Sequence, residues 1–167
     1  MASRNAVVSK KYRKQSHLEH IKSRPDTYIG SIQSRTEPMW VIESGKMVNR
    51  PITYVPGLLK IFDEILVNAA DNKQRDDGMK FIKVVVAEDH ITVENDGAGI
   101  PVEMHAEHNV YVPQMVFGQL LSGDNYDDDE ERVVGGRNGY GAKLTNIFST
   151  SFCIETIDSK SGKKYSQ

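Results

Sequence analysis

The sequence predicts an α+β fold of one domain, in which helices are layered against a mixed, mainly antiparallel sheet. A strong amphipathic helix is expected over residues 57–75, where apolar side chains recur at helical spacing. Two β-rich runs, 81–87 and 91–94, follow it and predict a hairpin around Glu88-Asp89-His90. A helix that leads into an antiparallel hairpin fits a layered α+β arrangement better than a doubly wound one.

Local signals predict the other elements. A short helix is expected from near Ser16 to the Arg24-Pro25-Asp26 turn, and short strands and loops over 36–57, where prolines and glycines recur. Helices are predicted over 113–121 and 142–148, and a strand over 152–157. Residues 1–15 are polar and basic, which by composition indicates a disordered tail. No terminating element precedes Gln167, so we expect the fold to be incomplete at its C-terminal end.

Composition argues against several classes of protein. The chain has 167 residues, 38% hydrophobic and 26% charged, an ordinary globular composition. Its net charge of -2 gives no global attraction to nucleic acid, so DNA contact would need a local patch or a further part. The single cysteine, Cys153, and the absence of ligand spacing among five histidines disfavour a thiol or metal-redox enzyme. No apolar run approaches the roughly 18 residues of a membrane span, and we expect a soluble intracellular protein.

Three polar residues make the long helix a candidate site. At about 100° per residue, Glu64, Asn68 and Asn72 lie at about 0°, 40° and 80°, near the margin of the apolar face. Polar groups there either line a cavity or cap the solvent edge, and the spacing alone leaves both possible. A carboxylate at a cavity rim can accept a proton from water, and an amide one turn later can bind Mg²⁺. Glu64 and Asn68 have the types and spacing for that pair.

A second candidate segment leaves the second strand of the hairpin. Asn95 and Asp96 precede Gly97-Ala98-Gly99. A carboxylate here can accept hydrogen bonds from a base edge while the glycines let the backbone approach. The same residues also fit a simple tight turn. Pro101 rules out the dinucleotide-binding fingerprint, which needs a third glycine.

A third segment is rich in glycine. Four glycines lie between Gly135 and Gly141, and Lys143 follows. Successive backbone amides and a helix start can hold a phosphate there, with the lysine neutralising its charge. A flexible surface loop is the alternative. A Walker A loop is excluded, because Ala142 separates Gly141 from Lys143.

The order of these three segments resembles the GHKL ATPase superfamily, and within it the eukaryotic-type type IIA DNA topoisomerases. The resemblance is carried by Arg24–Gly30, Phe62–Arg75, Asn125–Asp129 and Gly136–Leu144. It implies a Bergerat-type ATP-binding sandwich, with residues 1–15 as an N-terminal strap and 16–167 as a partial ATPase domain. It also implies an isomerase in which Mg²⁺ and ATP binding and hydrolysis drive dimer-gate closure and the passage of one DNA duplex through another.

Carried over by position, the resemblance implies roles for individual residues. Glu64 would be the general base, Asn68 would hold Mg²⁺, and Lys143 would act near the terminal phosphates. Tyr12 would belong to an arm that crosses to the second copy in a homodimer and contributes to its site. The implied nucleotide-binding set comprises Asn68, Asn72, Asn95, Asp96, Gly99, Gly123, Asp124, Asn125, Gly136, Arg137, Asn138, Gly139, Tyr140, Gly141, Ala142 and Lys143.

One position departs from the family pattern. Where the family usually has Ser-Ser-Asn, this chain has Gly123-Asp124-Asn125. A carboxylate at Asp124 would repel phosphate unless Mg²⁺ or an arginine intervened, or it would bond the ribose. We therefore expect a nucleotide contact that differs from the family's. An Asp124→Ser variant with unchanged nucleotide affinity would contradict this expectation.

The resemblance also implies partners. Double-stranded DNA would be bound through the parent enzyme, a second copy through the strap, and the protein would act in the nucleus. Turnover by this chain alone is expected to be weak or absent. Two alternatives stay open: another GHKL ATPase of the chaperone or mismatch-repair type, and a non-catalytic, nucleotide-gated dimerisation fragment.

Overall fold

The computed structural model describes residues 12, 14–120 and 139–167. These residues form helices and antiparallel hairpins, in agreement with the predicted α+β class. The pairs are β1 with β2, β3 with β4, and β5 with β6, each a separate two-stranded unit in the described ranges. The elements are α1 (His17–Ser23), α2 (Pro25–Tyr28), β1 (Arg35–Glu43), β2 (Lys46–Tyr54), α3 (Pro56–Arg75), β3 (Ile82–Val86), β4 (Ile91–Asn95), α4 (Val112–Gly118), α5 (Gly141–Phe148), β5 (Glu155–Ile157) and β6 (Lys164–Ser166).

The 20-residue helix α3 is the central element. It begins at Pro56, whose missing N–H costs nothing at a first helical position, and it ends with Lys73 and Arg75 in the last turn, where cations favour the helix dipole. The predicted helix over 57–75 is confirmed. α3 packs against α5 and β4, so it joins the two regions in which the glycine-containing segments lie.

The N-terminal helix α1 starts where the sequence predicts. Ser16 and Glu19 form a capping box, in which the Ser16 hydroxyl accepts from the Glu19 amide and the Glu19 carboxylate accepts from the Ser16 amide. Ile21 is fully buried and packs in a core cluster with Ile29 and Leu144. This core joins α1 and α2 to α5 and fixes the start of α5 against the rest of the domain.

The prediction of short strands and loops over 36–57 is right in placing strands there but underestimates their length. β1 and β2 are nine residues each and pair along their whole length. The turn between them is Ser44-Gly45, both with positive φ (51° and 76°), the geometry of a tight two-residue hairpin. Pro38 and Pro51 lie opposite each other, which the ribbon tolerates because no third strand pairs with it among the described residues.

Smaller differences concern the ends of elements. α4 ends at Gly118, three residues before its predicted end, and β5 begins only at Glu155. β6 was not predicted, because three residues are too few to give a periodic pattern. The hairpin of β3 and β4 and the helix α5 agree with prediction. In the described part of the chain, none of the helices combines the length and apolar character needed to cross a membrane.

Candidate active site

Glu64, on α3, contacts the glycine-rich segment where α5 begins. Its side chain is 23% exposed, and Oε1 forms an ion pair with Nζ of Lys60, one turn earlier on α3. Oε2 lies against Gly141 at the start of α5: a Cβ added to Gly141 would be 3.0 Å from the Glu64 Cδ and closer still to Oε2. The carboxylate therefore lies between the two helices, at the end of the glycine-rich segment.

Asn72, two turns further along α3, contacts the segment that follows β4. Its Nδ2 donates to Oδ1 of Asn95 at 3.5 Å, at the end of β4, and to Sδ of the buried Met79 at 3.6 Å. Oδ1 of Asn95 also accepts from the Gly97 amide at 3.1 Å. A Cβ on Gly97 would collide with Nδ2 of Asn72, so a larger residue there would displace the Asn72 amide group. Asn68 lies between Glu64 and Asn72 on the helix and is exposed.

Asp96 has a different environment from Asn95. Its Oδ1 accepts hydrogen bonds from the backbone amides of Lys80 (2.7 Å) and Phe81 (3.0 Å), before β3. Asn95, the last residue of β4, therefore contacts α3, whereas the carboxylate of Asp96, which follows the strand, is held by the loop before β3. The base contact expected of both Asn95 and Asp96 stays a prediction, and the geometry favours Asn95.

Asp96 is expected to make stability depend on acid pH. The amide of Phe81, and then that of Lys80, lower the pKa of Asp96 below its ordinary range. The stabilisation is therefore present above the unfolded pKa, about 3.9, and is lost as pH falls toward the lower folded pKa. Asp96→Asn should lower the thermal midpoint at neutral pH and flatten its fall below about pH 4. Asp77→Asn, at an exposed position near the same loop, is the control; an equally steep fall in Asp96→Asn would contradict the assignment.

The backbone of residues 97–100, which follow β4, is held by hydrogen bonds to side chains that were not predicted as site residues. Asp76, the residue directly after α3, accepts the Ala98 amide on Oδ2 at 2.7 Å and the Gly78 amide on Oδ1 at 3.0 Å. From the other side, Thr156 Oγ1 accepts the Ile100 amide at 3.0 Å. The sequence signal that could have identified Asp76 is its position directly after the helix that carries the candidate residues.

Asp158 fixes the turn that follows β5. Its carboxylate accepts the Ser161 hydroxyl at 2.6 Å, the Lys160 amide at 3.0 Å and the Val102 amide at 3.4 Å. The Ser161 hydroxyl is the largest cause of a lowered pKa for Asp158. The amide of Ser159 also donates to the Ala98 carbonyl at 2.9 Å. The segment that contains Asn95 is thus held between the end of α3 and the turn between β5 and β6.

The start of α5 is anchored to the N-terminal helix. Gly139 has φ 61°, and Tyr140 is the N-cap residue that precedes the helix. The Tyr140 hydroxyl lies 3.3 Å from Nε2 of His17, and the two rings meet edge to face. Ala142 and Lys143 are buried, Lys143 with 4% exposure.

Several predicted residues do not contribute to this geometry. Tyr12 is 70% exposed, and its place in an arm that crosses to a second copy stays a prediction. The predicted residues Gly123, Asp124, Asn125, Gly136, Arg137 and Asn138 lie outside the described residues. Their roles stay predictions.

Comparisons with known proteins agree with this architecture. The family model described as histidine kinase-, DNA gyrase B- and HSP90-like ATPase matches residues 54–164. DNA topoisomerase 2 of Arabidopsis thaliana is 60% identical over 99% of this chain, and that of Saccharomyces cerevisiae is 57% identical over 100%. The chain spans only 11% and 12% of these two relatives.

Solved structures give the same result. The crystal structure of the ATPase region of Saccharomyces cerevisiae topoisomerase II superimposes with a TM-score of 0.93 at 58% identity, covering 96% of this chain and 43% of that one. The ATPase and transducer domains of DNA topoisomerase II from Balamuthia mandrillaris give 0.92 at 54% identity, covering 95% and 41%. The chain therefore belongs to the histidine kinase-, DNA gyrase B- and HSP90-like ATPase family, and within it matches the ATPase region of DNA topoisomerase II.

Proposed function

We propose that this chain binds ATP between α3, the end of β4 and the start of α5, and that Glu64 is the general base for its hydrolysis. One observation carries the proposal: a single helix holds Glu64 against Gly141 and Asn72 against Asn95. The two residues are eight positions apart, about 12 Å along a helix. The adenine would lie at Asn72 and Asn95, and the triphosphate would extend toward Gly141 and Lys143.

The chemistry proposed is hydrolysis of the terminal phosphoanhydride bond. Water attacks the γ-phosphorus and gives its proton to Oε2 of Glu64, while the bond to the bridging oxygen breaks and ADP leaves. Oε2 suits this role, because among the described residues it accepts no hydrogen bond and it lies beside the helix start. The backbone amides in the first turn of α5 and Lys143 would neutralise charge on the phosphates.

The residues present fit a Mg²⁺ ion carried by the nucleotide. Mg²⁺ commonly keeps several waters and takes one or two protein oxygens together with phosphate oxygens. Asn68, an exposed amide one turn after Glu64, can supply such an oxygen. No cluster of three or more acidic, histidine or cysteine side chains that could hold a metal occurs in the described ranges. When bound, the ion would neutralise charge on the phosphates.

For the longer protein we propose the activity of its relatives. The identity to proteins named DNA topoisomerase 2 supports coupling of ATP binding and hydrolysis to dimer-gate closure and to duplex passage. Double-stranded DNA would be the substrate, a second copy would bind through the strap that contains Tyr12, and the site of action would be the nucleus.

Nucleotide binding is tested by calorimetric titration with a non-hydrolysable ATP analogue, with and without Mg²⁺. We expect saturable binding that depends on Mg²⁺, and an Asn68→Ala variant that has lost most of this dependence and binds about tenfold more weakly, a change of about 1.4 kcal/mol. Asn49→Ala, on the exposed ribbon, is the matched control and should bind normally. Absence of binding by the folded wild type would refute the proposed site.

Gly141→Ala is expected to impair turnover without unfolding the protein. Alanine suits the first turn of a helix, and Gly141 has no positive φ, so the backbone does not require glycine. The added methyl group would instead displace the Glu64 carboxylate, and a displacement of about 1 Å can cost about 100-fold in rate. The measurements are the ATP turnover number and the thermal midpoint. Unchanged turnover in the variant would show that Glu64 does not act from this position.

A further inference from the structure

We propose that Lys60 is a positioning residue that holds Oε1 of Glu64 and thereby leaves Oε2 to face the reacting water. The inference rests on the proposed function, because it concerns the same carboxylate. It adds a residue that sequence reasoning did not select.

The geometry assigns different neighbours to the two carboxylate oxygens. Oε1 pairs with the Lys60 ammonium, and Oε2 lies against Gly141 at the start of α5. The hydrogen bond from Lys60 to Glu64 is also the largest cause of a raised pKa for Lys60, so the ammonium remains charged at neutral pH. A carboxylate without this pair could turn about its terminal torsion, which is broad for glutamate, to angles at which neither oxygen faces the start of α5.

Helix stability does not account for the pair. A lysine that precedes glutamate by four residues is the less favourable orientation, and such surface pairs are worth at most about 0.3–0.5 kcal/mol. Lys60 also lies in the N-terminal half of α3, where the helix dipole does not favour a cation. The Lys60 side chain is 47% exposed, so part of its stem packs against the domain while its ammonium group pairs with Glu64.

Within the described ranges, the other charged side chains that bear on this pair are Asp63 on α3 and Lys143 on α5. Asp63, the residue before Glu64 on α3, is exposed, and its negative charge raises the pKa of Lys60. The helix α5 packs against α3. Its ionisable side chain is that of Lys143, which is buried in the first turn of the helix. Among the described residues Lys60 forms the ion pair with Glu64.

The test compares Lys60→Met, Lys60→Arg and Glu64→Gln in the intact protein that contains this chain. Methionine keeps the length of the stem and removes the charge, and arginine keeps the charge. We expect Lys60→Met to lower kcat for ATP about 10-fold to 100-fold, with KM and the affinity for a non-hydrolysable analogue changed less than about threefold. Lys60→Arg should recover most of kcat. Lys60→Met added to Glu64→Gln should cause no further loss, because the two residues act as one unit.

Lys83→Met is the matched control, since Lys83 forms an exposed cross-strand pair with Glu94 at 3.7 Å on the hairpin. It should leave kcat unchanged. Wild-type kcat in Lys60→Met, while Glu64→Gln is inactive, would overturn the role of Lys60 and leave the proposed function intact. A loss of analogue affinity equal to the loss of kcat/KM would also overturn it, since Lys60 would then bind the phosphates directly. Undiminished turnover in Glu64→Gln would instead refute the proposed general base.

Discussion

ATP turnover is expected to fall about 10²–10⁴-fold when Glu64 is replaced by glutamine, the range that a positioned general base contributes. Glutamine keeps the shape of the side chain and an oxygen that Lys60 can contact, but it cannot accept the proton from water. Because the base acts mainly in the transition state, affinity for a non-hydrolysable ATP analogue should change less than about threefold. The measurements are steady-state turnover in the intact protein and calorimetric binding of the analogue.

Asp63→Asn is the matched control for this experiment. Asp63 is the neighbouring carboxylate on α3, but it is exposed and has no contact with α5 among those described. Its variant should retain most of the turnover. Equal losses in Asp63→Asn and Glu64→Gln would show that the overall charge of the helix matters, and not the position of one carboxylate beside Gly141.

Gly99→Ala is expected to destabilise the fold by about 2–5 kcal/mol. Gly99 has φ 80°, a conformation that alanine adopts at a cost of about 1–2 kcal/mol. The added Cβ would also lie 2.7 Å from the carbonyl carbon of Ile157 and closer to its oxygen, and backbone atoms of a strand cannot move aside as a side chain can. The measurement is the free energy of unfolding, from denaturant titration of the variant and the wild type.

A second glycine separates the two contributions. Gly45 has φ 76° in the turn between β1 and β2, and a Cβ there would have no neighbour within 4 Å. Gly45→Ala should therefore cost only the conformational strain, about 1–2 kcal/mol. If Gly99→Ala were no more destabilising than Gly45→Ala, the close approach of the glycine turn to β5 would be absent in solution.

The sequence predicts those elements of the fold whose patterns are long and regular. The apolar periodicity of α3, and for α1 the proline that follows it at Pro25, give these two helices within one or two residues. The strands β1 and β2 were predicted as short because prolines and glycines recur over 36–57, but a two-stranded ribbon tolerates Pro38 and Pro51, which a central strand would not. β6 has three residues, fewer than any periodic pattern needs.

The site was predictable where its residues share one helix. The spacing of Glu64, Asn68 and Asn72 predicts that they follow one side of α3, and the resemblance to the topoisomerases adds their roles. The roles of Asp76 and Lys60 depend on which atoms meet after folding, and a sequence does not give this. The different environments of Asn95 and Asp96 depend on such contacts too, because the loop before β3 holds the Asp96 carboxylate while Asn95 contacts α3.

The helix α3 fixes the spacing between two parts of the proposed site. In the proposed site, the residue near the adenine, Asn72, and the proton acceptor, Glu64, are both on this helix. The distance between them is therefore set by the number of residues that separate them, and not by how two domains pack. One residue inserted between Asn68 and Asn72 would advance Asn72 by about 1.5 Å and rotate it by about 100°, away from Asn95. Loops around such a site can change in length during evolution, but the number of residues between Glu64 and Asn72 cannot change without losing one end of the ligand.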